Sequence, residues 1–600
     1  MAEPVDWSAQ GAPRSPRFGD VYHSSTGALA QARHVFLAGC GLPQAWVGAA
    51  QWRILETGFG LGLNFLAAWR AWKDDPQRPL MLHFASVEAW PVAATDLLQA
   101  VRHEPTLQAL AQELAAQWWG LVPGVHRLSF DGGRVLLTLG VGEVRERLQD
   151  FDFTADSVFL DGFDPQRNPA MWELAALKAV GRLCGRGARL ATWTVAGAVR
   201  RDLAQCGFAV EKAPGLPPKH DCLRAVFEPA WEARRGSVTQ QAAARAIVVG
   251  GGLAGASAAA SLARRGWQVG VLDRAPAPAA GASALPAGLL APHTSPDDNL
   301  LSRLSRAGVR TTLQECRARL RDGMDWSPSG VLQLRSADER EPADLGPWTR
   351  DWQQWRDEEH RQLWHPAAAW IKPAALVRAW LSHEGIEWRG DSAVHALERS
   401  PKGWRALDAQ GRAMAEAPLV VLAAAYDSGP LAAGRLALHP VRGQVSWGAA
   451  AGEPLSASPL NGNGHFLPAI PLDRGLAWLT GSTYVRADLS LEERPGEHQA
   501  NLQRLRDLVP DVADRLAPEF DAGRVRAWTG VRCASTDRRP LAGRLDEGLW
   551  CSVAMGSRGL TFAALCAELL GARLHGEPLP LAGRLAAALD PGRQRRKQTG

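Results

Sequence analysis

The sequence predicts an α/β protein with two nucleotide-binding domains in tandem, and two observations lead to this prediction. First, 600 residues exceed what one hydrophobic core usually holds and suit about two to four domains. Second, two glycine-rich loops, at residues 58–62 and 250–255, each follow a short apolar run and open a helical stretch. The glycine spacing differs between the loops, so we expect each loop to bind a different cofactor.

The second loop predicts a dinucleotide site. Gly250, Gly252 and Gly255 fit the pattern G-x-G-x-x-G, in which glycines allow a tight turn, close approach of a pyrophosphate and packing of helix on sheet. The N-terminus of the following helix, over 256–265, would then face the phosphates. Asp273 ends the next apolar run, about 20 residues on, where an acid receives ribose hydroxyls. A glycine-rich turn without a ligand is the alternative, and the complete strand–helix–strand context argues against it.

The first loop has the looser spacing G-x-G-x-G, formed by Gly58, Gly60 and Gly62, with Glu56 two residues before it. This pattern is typical of an S-adenosylmethionine (SAM) site, where the backbone closely approaches a small amino-acid moiety and a carboxylate binds its ammonium group. We therefore expect Glu56 to bind that ammonium group, and Glu88, at the end of the next apolar run, to bind the ribose hydroxyls. An ordinary strand–turn–helix with surface acids is the alternative.

A third apolar run, 157–160, ends directly in Asp161. Ligands of open α/β sheets lie outside the carboxyl ends of the strands, so Asp161 would face the methyl group that the cofactor transfers. Methylation of an amine requires its lone pair, and a carboxylate can hold the amine and take its proton. The sequence thus predicts Asp161 as a catalytic residue, while a strand-end Asp that caps the next helix is the alternative.

The composition is that of an ordinary globular protein, with 46% hydrophobic and 22% charged residues. No apolar run approaches the roughly 20 residues of a membrane span and the N-terminus lacks a basic-then-apolar signal, so we expect a cytoplasmic protein without membrane contact. The sequence does not reveal the oligomeric state, and we expect a monomer. The eight cysteines form no C-x-x-C pair, which favours buried free thiols over disulfides or a metal site. The net charge of +5, carried more by arginine than by lysine, permits RNA binding without establishing it.

A polar stretch without periodicity, over 231–245, is the predicted linker. The predicted domains are therefore residues 1–230 and 246–590, followed by a basic tail over 591–600. The tail contains Arg593-Gln-Arg595-Arg596-Lys597. We expect it to be solvated, and contact with a nucleic-acid backbone is the alternative.

Motifs spread over nearly the whole chain stand in a characteristic order. They are Glu56-Thr-Gly-Phe-Gly-Leu-Gly-Leu-Asn-Phe-Leu66, Ser86-Val-Glu88, Leu160-Asp-Gly-Phe-Asp-Pro165, Asn168-Pro-Ala-Met-Trp172, Gly281-Ala-Ser283, Arg442-Gly-Gln444, Asp537-Arg-Arg-Pro540 and Gly556-Ser-Arg-Gly559. Together they resemble the MnmC family of bifunctional tRNA modification enzymes. The resemblance implies an α/β, Rossmann-like SAM-dependent methyltransferase domain, followed by an α+β FAD-dependent oxidoreductase module of the glycine oxidase and D-amino-acid oxidase type.

The resemblance also implies a two-step reaction at the wobble uridine (U34) of tRNA. The FAD-dependent domain would remove the carboxymethyl group from 5-carboxymethylaminomethyl-2-thiouridine, with glyoxylate as the leaving fragment. The methyltransferase domain would then methylate the exposed amine to give 5-methylaminomethyl-2-thiouridine. The implied cofactors are FAD and SAM, and the implied partner is tRNA.

Further site residues are implied by the same resemblance. An arginine usually holds the substrate carboxylate in oxidases of this type, and Arg532 and Arg558 are both candidates. The implied cofactor-binding residues are Gly281, Ser283, Gly556 and Gly559 for FAD, and Glu143 for the adenine of SAM. The chain departs from the family pattern at Gly142-Glu143, where relatives usually have Gly-Asp, and at Ala284-Leu285-Pro286, where they usually have Gly-Asn-Pro.

Two other hypotheses stay open at this point. One is a small-molecule amine or amino-acid oxidase fused to a small-molecule N-methyltransferase, which would turn over free sarcosine or glycine. The other is a partly inactive flavin-binding scaffold that mainly holds tRNA, which would bind FAD without being reduced by substrate.

Overall fold

The computed structural model describes residues 2–7, 12–23, 27–217, 220–231, 242–473 and 475–596. The described residues form two compact units. Unit 1 contains those up to residue 231 together with Leu345–Trp348 and Ala572–Arg584, and unit 2 contains the remainder. Most of the predicted linker, residues 232–241, and the end of the predicted tail, residues 597–600, lie outside the described residues.

Unit 1 is built on an eight-stranded sheet with helices on both faces. Its helices are α1 (Ala28–Gln31), which continues as a π-helical segment over Ala32–Leu37, α2 (Leu63–Asp74), α3 (Ala94–Ala100), α4 (Pro105–Gln117), α5 (Val144–Asp150), α6 (Leu174–Arg182) and α7 (Gly197–Gln205). Its strands are β1 (Arg14–Ser15), β2 (Asp20–Val21), β3 (Gln51–Thr57), β4 (Met81–Glu88), β5 (Gly124–Phe130), β6 (Val135–Val141), β7 (Ala155–Leu160), β8 (Cys184–Thr192), β9 (Phe208–Pro214) and β10 (Asp221–Phe227).

The strand order of this sheet places two loops side by side. The order is β5-β6-β4-β3-β7-β8-β10-β9, and the strands from β6 to β8 are parallel. The chain runs outward from β3 through β4 to β6 and then returns to β7 on the other side of β3, which makes a topological switch point between β3 and β7. Ile54 and Leu55, adjacent in β3, belong to different buried apolar clusters, so both faces of the sheet are covered. The loops that follow β3 and β7 therefore meet at one edge of a rigid, buried sheet.

Residues from the far end of the chain complete unit 1. Gln51 Nε2 donates to the carbonyl oxygen of His575 at 2.7 Å, and Arg53 Nη1 donates to that of Gly576 at 3.3 Å. Glu577 is 1% exposed, so this segment is an integral part of the unit. The sequence placed Ala572–Arg584 with residues 246–590, because no local pattern reveals a partner more than 500 residues away.

Unit 2 combines a nucleotide-binding sheet with a larger antiparallel sheet. Its helices are α8 (Leu253–Arg264), α9 (Leu300–Arg319), α10 (Thr349–Trp352), α11 (Pro373–Leu381), α12 (Ser428–Leu431), α13 (Pro495–Leu508), α14 (Pro510–Asp521), α15 (Gly559–His575), α16 (Gly583–Ala587) and α17 (Arg593–Arg596). Its strands are β11 (Arg245–Val249), β12 (Gln268–Leu272), β13 (Gly288–Leu290), β14 (Trp326–Ser327), β15 (Val331–Leu334), β16 (Gln354–Asp357), β17 (Gln362–His365), β18 (Ala369–Ile371), β19 (Ile386–Arg389), β20 (Ala396–Ser400), β21 (Gly403–Leu407), β22 (Ala413–Ala417), β23 (Leu419–Leu422), β24 (Leu438–Ala449), β25 (Leu460–Gly462), β26 (Gly464–Leu472), β27 (Gly475–Gly481), β28 (Val485–Arg486), β29 (Arg526–Ser535), β30 (Leu541–Asp546) and β31 (Leu549–Val553).

The two main sheets of unit 2 have different roles. The six-stranded sheet, in the order β19-β12-β11-β23-β31-β30, is parallel except for its edge strand β30 and carries the second glycine loop after β11. The nine-stranded sheet includes β24 and β29, whose antiparallel pairing runs from Leu438–Ser535 to Trp447–Arg526. Helices α13 and α14 cover it, with Trp478 and Phe520 in their shared apolar cluster. This is the α+β arrangement that the sequence predicted.

The beginning of the predicted basic tail is folded rather than solvated. Arg593 donates from Nη2 to Asp537 Oδ1 and from Nε to Asp537 Oδ2, both at 3.0 Å. The pKa of Asp537 is lowered well below its usual value, because hydrogen bonding and charge from Arg593 outweigh burial. The prediction of a solvated segment was wrong at Arg593, since its ion-pair partner, the Asp537 carboxylate, lies 56 residues earlier in the chain.

Two other sequence-based expectations concern thiols and membranes. All eight cysteines lie in the described part of the chain, are buried and form no disulfide, which agrees with the prediction of buried thiols. Within the described ranges, none of the helices combines the length and the apolar character that a membrane crossing requires.

We predict that unit 2 loses stability as the pH falls from about 7 to 5. His365 is fully buried, its Nδ1 lies 3.0 Å from the carbonyl oxygen of Trp352, and burial lowers its pKa to about 4. Between about pH 6.5 and 4 the unfolded chain binds a proton at this residue and the folded chain does not, so acid favours unfolding, by about 2 kcal/mol at pH 5. Urea unfolding followed by circular dichroism at both pH values measures this, and His365→Gln should have a shallower pH dependence. An equal slope in the variant would assign the effect to other groups.

Candidate active sites

A cavity of ≈ 890 Å³ lies in unit 1 at the carboxyl ends of β3, β4 and β7. This volume lies within the range of small-molecule sites, about 300–1,000 Å³. The walls come from the glycine loop after β3, the loop after β7 and the N-terminal strands β1 and β2. The residues that line the cavity include Phe18, Tyr22, Gly58, Gly60, Asn64, Glu88, Glu143, Asp161, Phe163 and Trp193.

The three glycines of the first loop are required by the backbone. Gly58, Gly60 and Gly62 have φ angles of 84°, 52° and 74°, in the left-handed region that glycine adopts without strain. A Cβ atom on Gly58 would also lie 3.1 Å from the carbonyl oxygen of Asp161, so the loops after β3 and β7 are in close contact. Gly58 and Gly60 line the cavity, whereas Gly62 caps helix α2 and packs against Phe59. The cofactor contact predicted for Gly62 stays a prediction.

Glu88 lies at the end of β4 and lines the cavity, as the sequence predicted. Its Oε2 accepts from the backbone N–H of Gly60 at 2.8 Å and its Oε1 accepts from that of Trp90 at 2.9 Å. Burial raises its pKa. A carboxylate fixed by two backbone donors keeps further lone pairs for a ribose diol. Glu143 is exposed at the start of α5 and lines the same cavity, and its contact with adenine stays a prediction.

Glu56 lies beneath the first glycine loop, and both of its carboxyl oxygens are bonded to protein groups. Its side chain is 1% exposed and is not among the described residues that line the cavity. Oε1 accepts from Asn64 Nδ2 at 3.0 Å and Oε2 accepts from Ser86 Oγ at 2.6 Å. Burial raises the pKa of Glu56 to about 8, and the charge of Asp161 contributes to the rise. In this arrangement Glu56 contacts the cavity residue Asn64, and its contact with a ligand ammonium group stays a prediction.

Asp161 lies in the cavity directly after β7, where the sequence predicted it. Its Oδ1 accepts from the backbone N–H of Gly162 at 2.9 Å, and its Oδ2 accepts from Asn64 Nδ2 at 2.8 Å. Each carboxylate oxygen is thus held by a different structural element, the loop after β7 and helix α2. The alternative, in which Asp161 caps the next helix, finds no support, because the nearest helical residues, Pro169–Met171, are preceded by Asn168.

Aromatic side chains line the same cavity and were not predicted as site residues. The ring centroid of Phe163 lies 4.9 Å from that of Phe18 and 5.1 Å from that of Tyr22. Trp193 Nε1 donates to the carbonyl oxygen of Gly162 at 3.1 Å, next to Asp161. Aromatic rings beside a carboxylate suit a flat, unsaturated ligand. These aromatic residues come from separate parts of the sequence, so no local pattern predicts that they meet.

The second glycine loop, in unit 2, forms the cradle that the sequence predicted. Gly250 has a φ angle of 109°, and a Cβ atom there would lie 2.6 Å from the carbonyl oxygen of Ala423. A Cβ atom on Gly255 would lie 1.8 Å from the carbonyl oxygen of Gly250. Gly252 caps α8, so the N-terminus of that helix opens at the loop. Only glycine fits at positions 250 and 255, which matches what a pyrophosphate requires of a loop before a helix.

Two polar side chains near this loop, Asp273 and Ser283, lie where the sequence predicts further contacts with a dinucleotide. The carboxylate of Asp273 accepts from the backbone N–H groups of Gly251 at 2.5 Å and Ala275 at 2.8 Å, at the end of β12 where a ribose would bind. Ser283 Oγ accepts from the N–H of Leu253 at 3.0 Å, so this hydroxyl lies at the first turn of α8. Their direct contacts with FAD stay predictions.

The remaining residues predicted to bind FAD are Gly556 and Gly559, which lie in one turn, and Gly281. Gly556 has a φ angle of 55°, and Gly559 begins α15, where a Cβ atom would lie 3.2 Å from Leu253 Cδ1. The turn from Gly556 is therefore next to the first turn of α8. Nothing lies within 4 Å of a Cβ atom built on Gly281, so steric crowding gives no reason for a glycine there.

Two arginines and a tyrosine mark the candidate substrate site of unit 2. Arg532 Nη2 donates to Ser482 Oγ at 2.6 Å, its Cζ lies 5.5 Å from the ring centroid of Tyr484, and its Nη1 is buried without a hydrogen-bond partner among the described residues. Burial lowers the pKa of Arg532 and of Arg558, and in each case Tyr484 opposes the shift. A buried, charged donor without a partner is costly unless an anion binds there, which suits a substrate carboxylate. Tyr484, which is 44% exposed, was not predicted.

Comparison with known proteins supports both halves of this description. The family model for FAD dependent oxidoreductases matches residues 245–573, and that for S-adenosyl-L-methionine-dependent methyltransferases matches residues 105–228. The "tRNA 5-methylaminomethyl-2-thiouridine biosynthesis bifunctional protein MnmC" of Polaromonas naphthalenivorans is 53% identical over 98% of this chain and 98% of its own length. The protein of the same name from an Acidovorax species is 51% identical over 99% of both chains.

This chain belongs to the MnmC family. As a member of it, the chain combines a SAM-dependent methyltransferase domain with an FAD-dependent oxidoreductase domain, and SAM and FAD are its cofactors. The fold class predicted for the two domains is confirmed. Among solved structures, the chain is similar to glycine oxidase from Geobacillus kaustophilus, with 19% identity and a TM-score of 0.46 over 58% of this chain and 98% of that one.

In this MnmC-family chain, Asn64 is a cavity residue that was not predicted from the sequence as a site residue. It is 9% exposed, lines the cavity and contacts both Glu56 and Asp161. One signal was available: an amide stands among apolar residues in the first turn of α2, directly after the glycine loop. Buried polar side chains need hydrogen-bond partners, so an amide among apolar residues indicates a specific contact.

Proposed function

We propose that this MnmC-family protein modifies the wobble uridine of tRNA in two steps. Its oxidoreductase domain removes the carboxymethyl group from 5-carboxymethylaminomethyl-2-thiouridine, and its methyltransferase domain methylates the amine thus exposed. The observation that carries the proposal is the identity of 53% over 98% of both chains with a protein named for the biosynthesis of 5-methylaminomethyl-2-thiouridine in tRNA. We place the reaction in the cytoplasm, with tRNA as the partner and the enzyme as a monomer.

The first step requires that the substrate's carboxylate and secondary amine be held beside the flavin. FAD, when bound, supplies the acceptor for a hydride from the carbon next to the amine. Arg532 offers a buried Nη1 for the carboxylate, and Tyr484 lies against the same guanidinium. Arg558 contributes a second positive charge, and Gly559 next to it begins α15. Water then cleaves the oxidised C–N bond, leaving the aminomethyl group on the uridine and releasing glyoxylate.

The second step requires an uncharged amine, because only its lone pair attacks the methyl group. SAM, when bound, supplies that methyl group. An alkylammonium is mostly protonated near neutral pH, and the Asp161 carboxylate, fixed by Gly162 and Asn64, can hold it and accept its proton. Glu88 holds the ribose side of the cofactor from the end of β4, and the rings of Phe163 and Tyr22 offer a surface for the pyrimidine.

Anaerobic mixing of the FAD-loaded protein with different reductants tests the first step. We expect tRNA carrying the carboxymethylaminomethyl group to bleach the flavin absorbance, and free glycine or sarcosine at the same concentration to leave it unchanged. Bleaching by glycine or sarcosine alone would support the small-molecule oxidase. Bound FAD that no substrate reduces would support the inactive scaffold.

Arg532→Lys is expected to lower kcat/KM for flavin reduction about 10- to 100-fold, because lysine keeps the charge but cannot form bidentate hydrogen bonds to a carboxylate. Stopped-flow reduction by the modified tRNA measures the effect. Arg526→Lys, an exposed position on the same strand, is the matched control and should behave as wild type. A larger loss in Arg558→Lys than in Arg532→Lys would transfer the carboxylate role to Arg558.

A further inference from the structure

Asn64 stands between two carboxylates at the methyl-transfer site. Its Nδ2 lies 3.0 Å from Glu56 Oε1 and 2.8 Å from Asp161 Oδ2. The NH2 group of the amide therefore faces both carboxyl groups, and its carbonyl oxygen does not. Each of its two hydrogens therefore has one carboxylate as its acceptor.

The contact ties Asp161 to a structural element outside its own loop. Gly162, which holds Oδ1, belongs to the same loop as Asp161, so it moves with that residue. Asn64 belongs to helix α2, whose apolar side chains Phe65, Leu66 and Trp69 are fully buried. Asn64 thus ties Oδ2 to the rigid sheet and helix framework. Without it, the carboxylate could rotate about its side-chain bonds away from the amine.

Glu56 anchors the other hydrogen of the amide. It is 1% exposed, and its second oxygen accepts from Ser86 Oγ on the neighbouring strand at 2.6 Å. Hydrogen bonds thus run from Ser86 on β4 through Glu56 on β3 and Asn64 on α2 to Asp161 after β7. The charged groups that face Glu56 are Asp161 and Glu88, and both raise its pKa. The amide hydrogens of Asn64 lie between the carboxyl groups of Glu56 and Asp161.

We infer that Asn64 is a positioning residue for methyl transfer, which holds the Asp161 carboxylate in place and keeps it ready to accept the proton of the amine. This inference rests on the proposed function. It assigns to Glu56 the role of anchoring Asn64, in place of direct contact with SAM. A residue of this kind sets the rate of the chemical step more than the affinity for SAM.

The test measures methylation of tRNA carrying 5-aminomethyl-2-thiouridine by the full-length, FAD-loaded protein. Asn64→Ala should lower kcat about 10- to 100-fold, the range found for side chains that orient a catalytic group, while the affinity for S-adenosylhomocysteine, measured by calorimetry, changes less than threefold. Without the amide, the two carboxylates share a proton more readily, so the pH at which methylation reaches half its maximum should rise. Asn64→Asp, of equal size, should lose activity as well.

Two comparisons separate this inference from a general effect on folding and from failure of the proposed function. Asn501→Ala removes another buried amide that bridges two acceptors, Gln444 O and Ser446 Oγ, but in unit 2, and it should leave methylation unchanged. Flavin reduction by the Asn64 variants should equal that of wild type. Wild-type protein that does not methylate this tRNA would contradict the proposed function. Wild-type protein that methylates it, with an Asn64→Ala variant of equal kcat and pH profile, would contradict the inference alone.

Discussion

Asp161→Asn is expected to reduce methyl transfer about 10²- to 10⁴-fold, the usual contribution of a positioned acid or base. The change keeps the size of the side chain but removes the charge that holds an ammonium group and the basicity that accepts its proton. The removal of the carboxymethyl group should proceed as in wild type, because it depends on unit 2. The variant should therefore convert modified tRNA to the aminomethyl form and stop there.

Nucleoside mass analysis measures this outcome, because the two forms differ by one methyl group. Asp74→Asn provides the matched control, since Asp74 forms an exposed ion pair with Arg70 on helix α2 and has no part in the cavity. Methylation at the wild-type rate in Asp161→Asn would show that another group accepts the proton.

Gly252→Val should abolish the first step and leave the second intact. Gly252 caps α8, and a Cβ atom there already lies 3.0 Å from Ser283 Oγ, so the further methyl groups of valine would occupy space that the pyrophosphate needs. Loss of two charge-assisted phosphate hydrogen bonds costs about 3 kcal/mol or more, which weakens FAD binding at least about 100-fold. We therefore expect a colourless protein that still methylates tRNA supplied with the aminomethyl group.

Gly496→Val is the control for this substitution. Gly496 lies near the start of α13, no atom lies within 4 Å of its Cβ position, and its backbone suits other residues. This variant should keep its flavin. A yellow Gly252→Val protein with full oxidase activity would mean that the pyrophosphate does not approach this loop.

The sequence could predict those parts of the two sites that depend on local patterns. An apolar run, a set of glycines and an amphipathic stretch lie within about 25 residues of one another, and the chirality of strand–helix–strand units leaves few ways to fold them. Asp161 could be predicted because it follows directly on an apolar strand. Glu88 and Asp273 were predicted for the same reason, and the structure places each at the end of its strand.

Other features depend on contacts between distant parts of the chain, which one sequence does not reveal. Glu56 has the residue type and spacing of a ligand-binding acid, but Asn64 and Ser86 use its two oxygens. Tyr484 reaches Arg532 from the segment between β27 and β28. The segment 572–584 belongs to unit 1 although it lies at the other end of the chain. In each case the deciding interaction lies in the packing and not in the local pattern.

The most direct test of the whole account is mass analysis of the wobble nucleoside after incubation of purified protein with tRNA carrying the carboxymethylaminomethyl group, with and without SAM. Without SAM, we expect loss of the carboxymethyl mass and accumulation of the aminomethyl nucleoside. With SAM, we expect that nucleoside to gain one methyl group. An unchanged nucleoside in both reactions, from protein that retains bound FAD, would contradict the account.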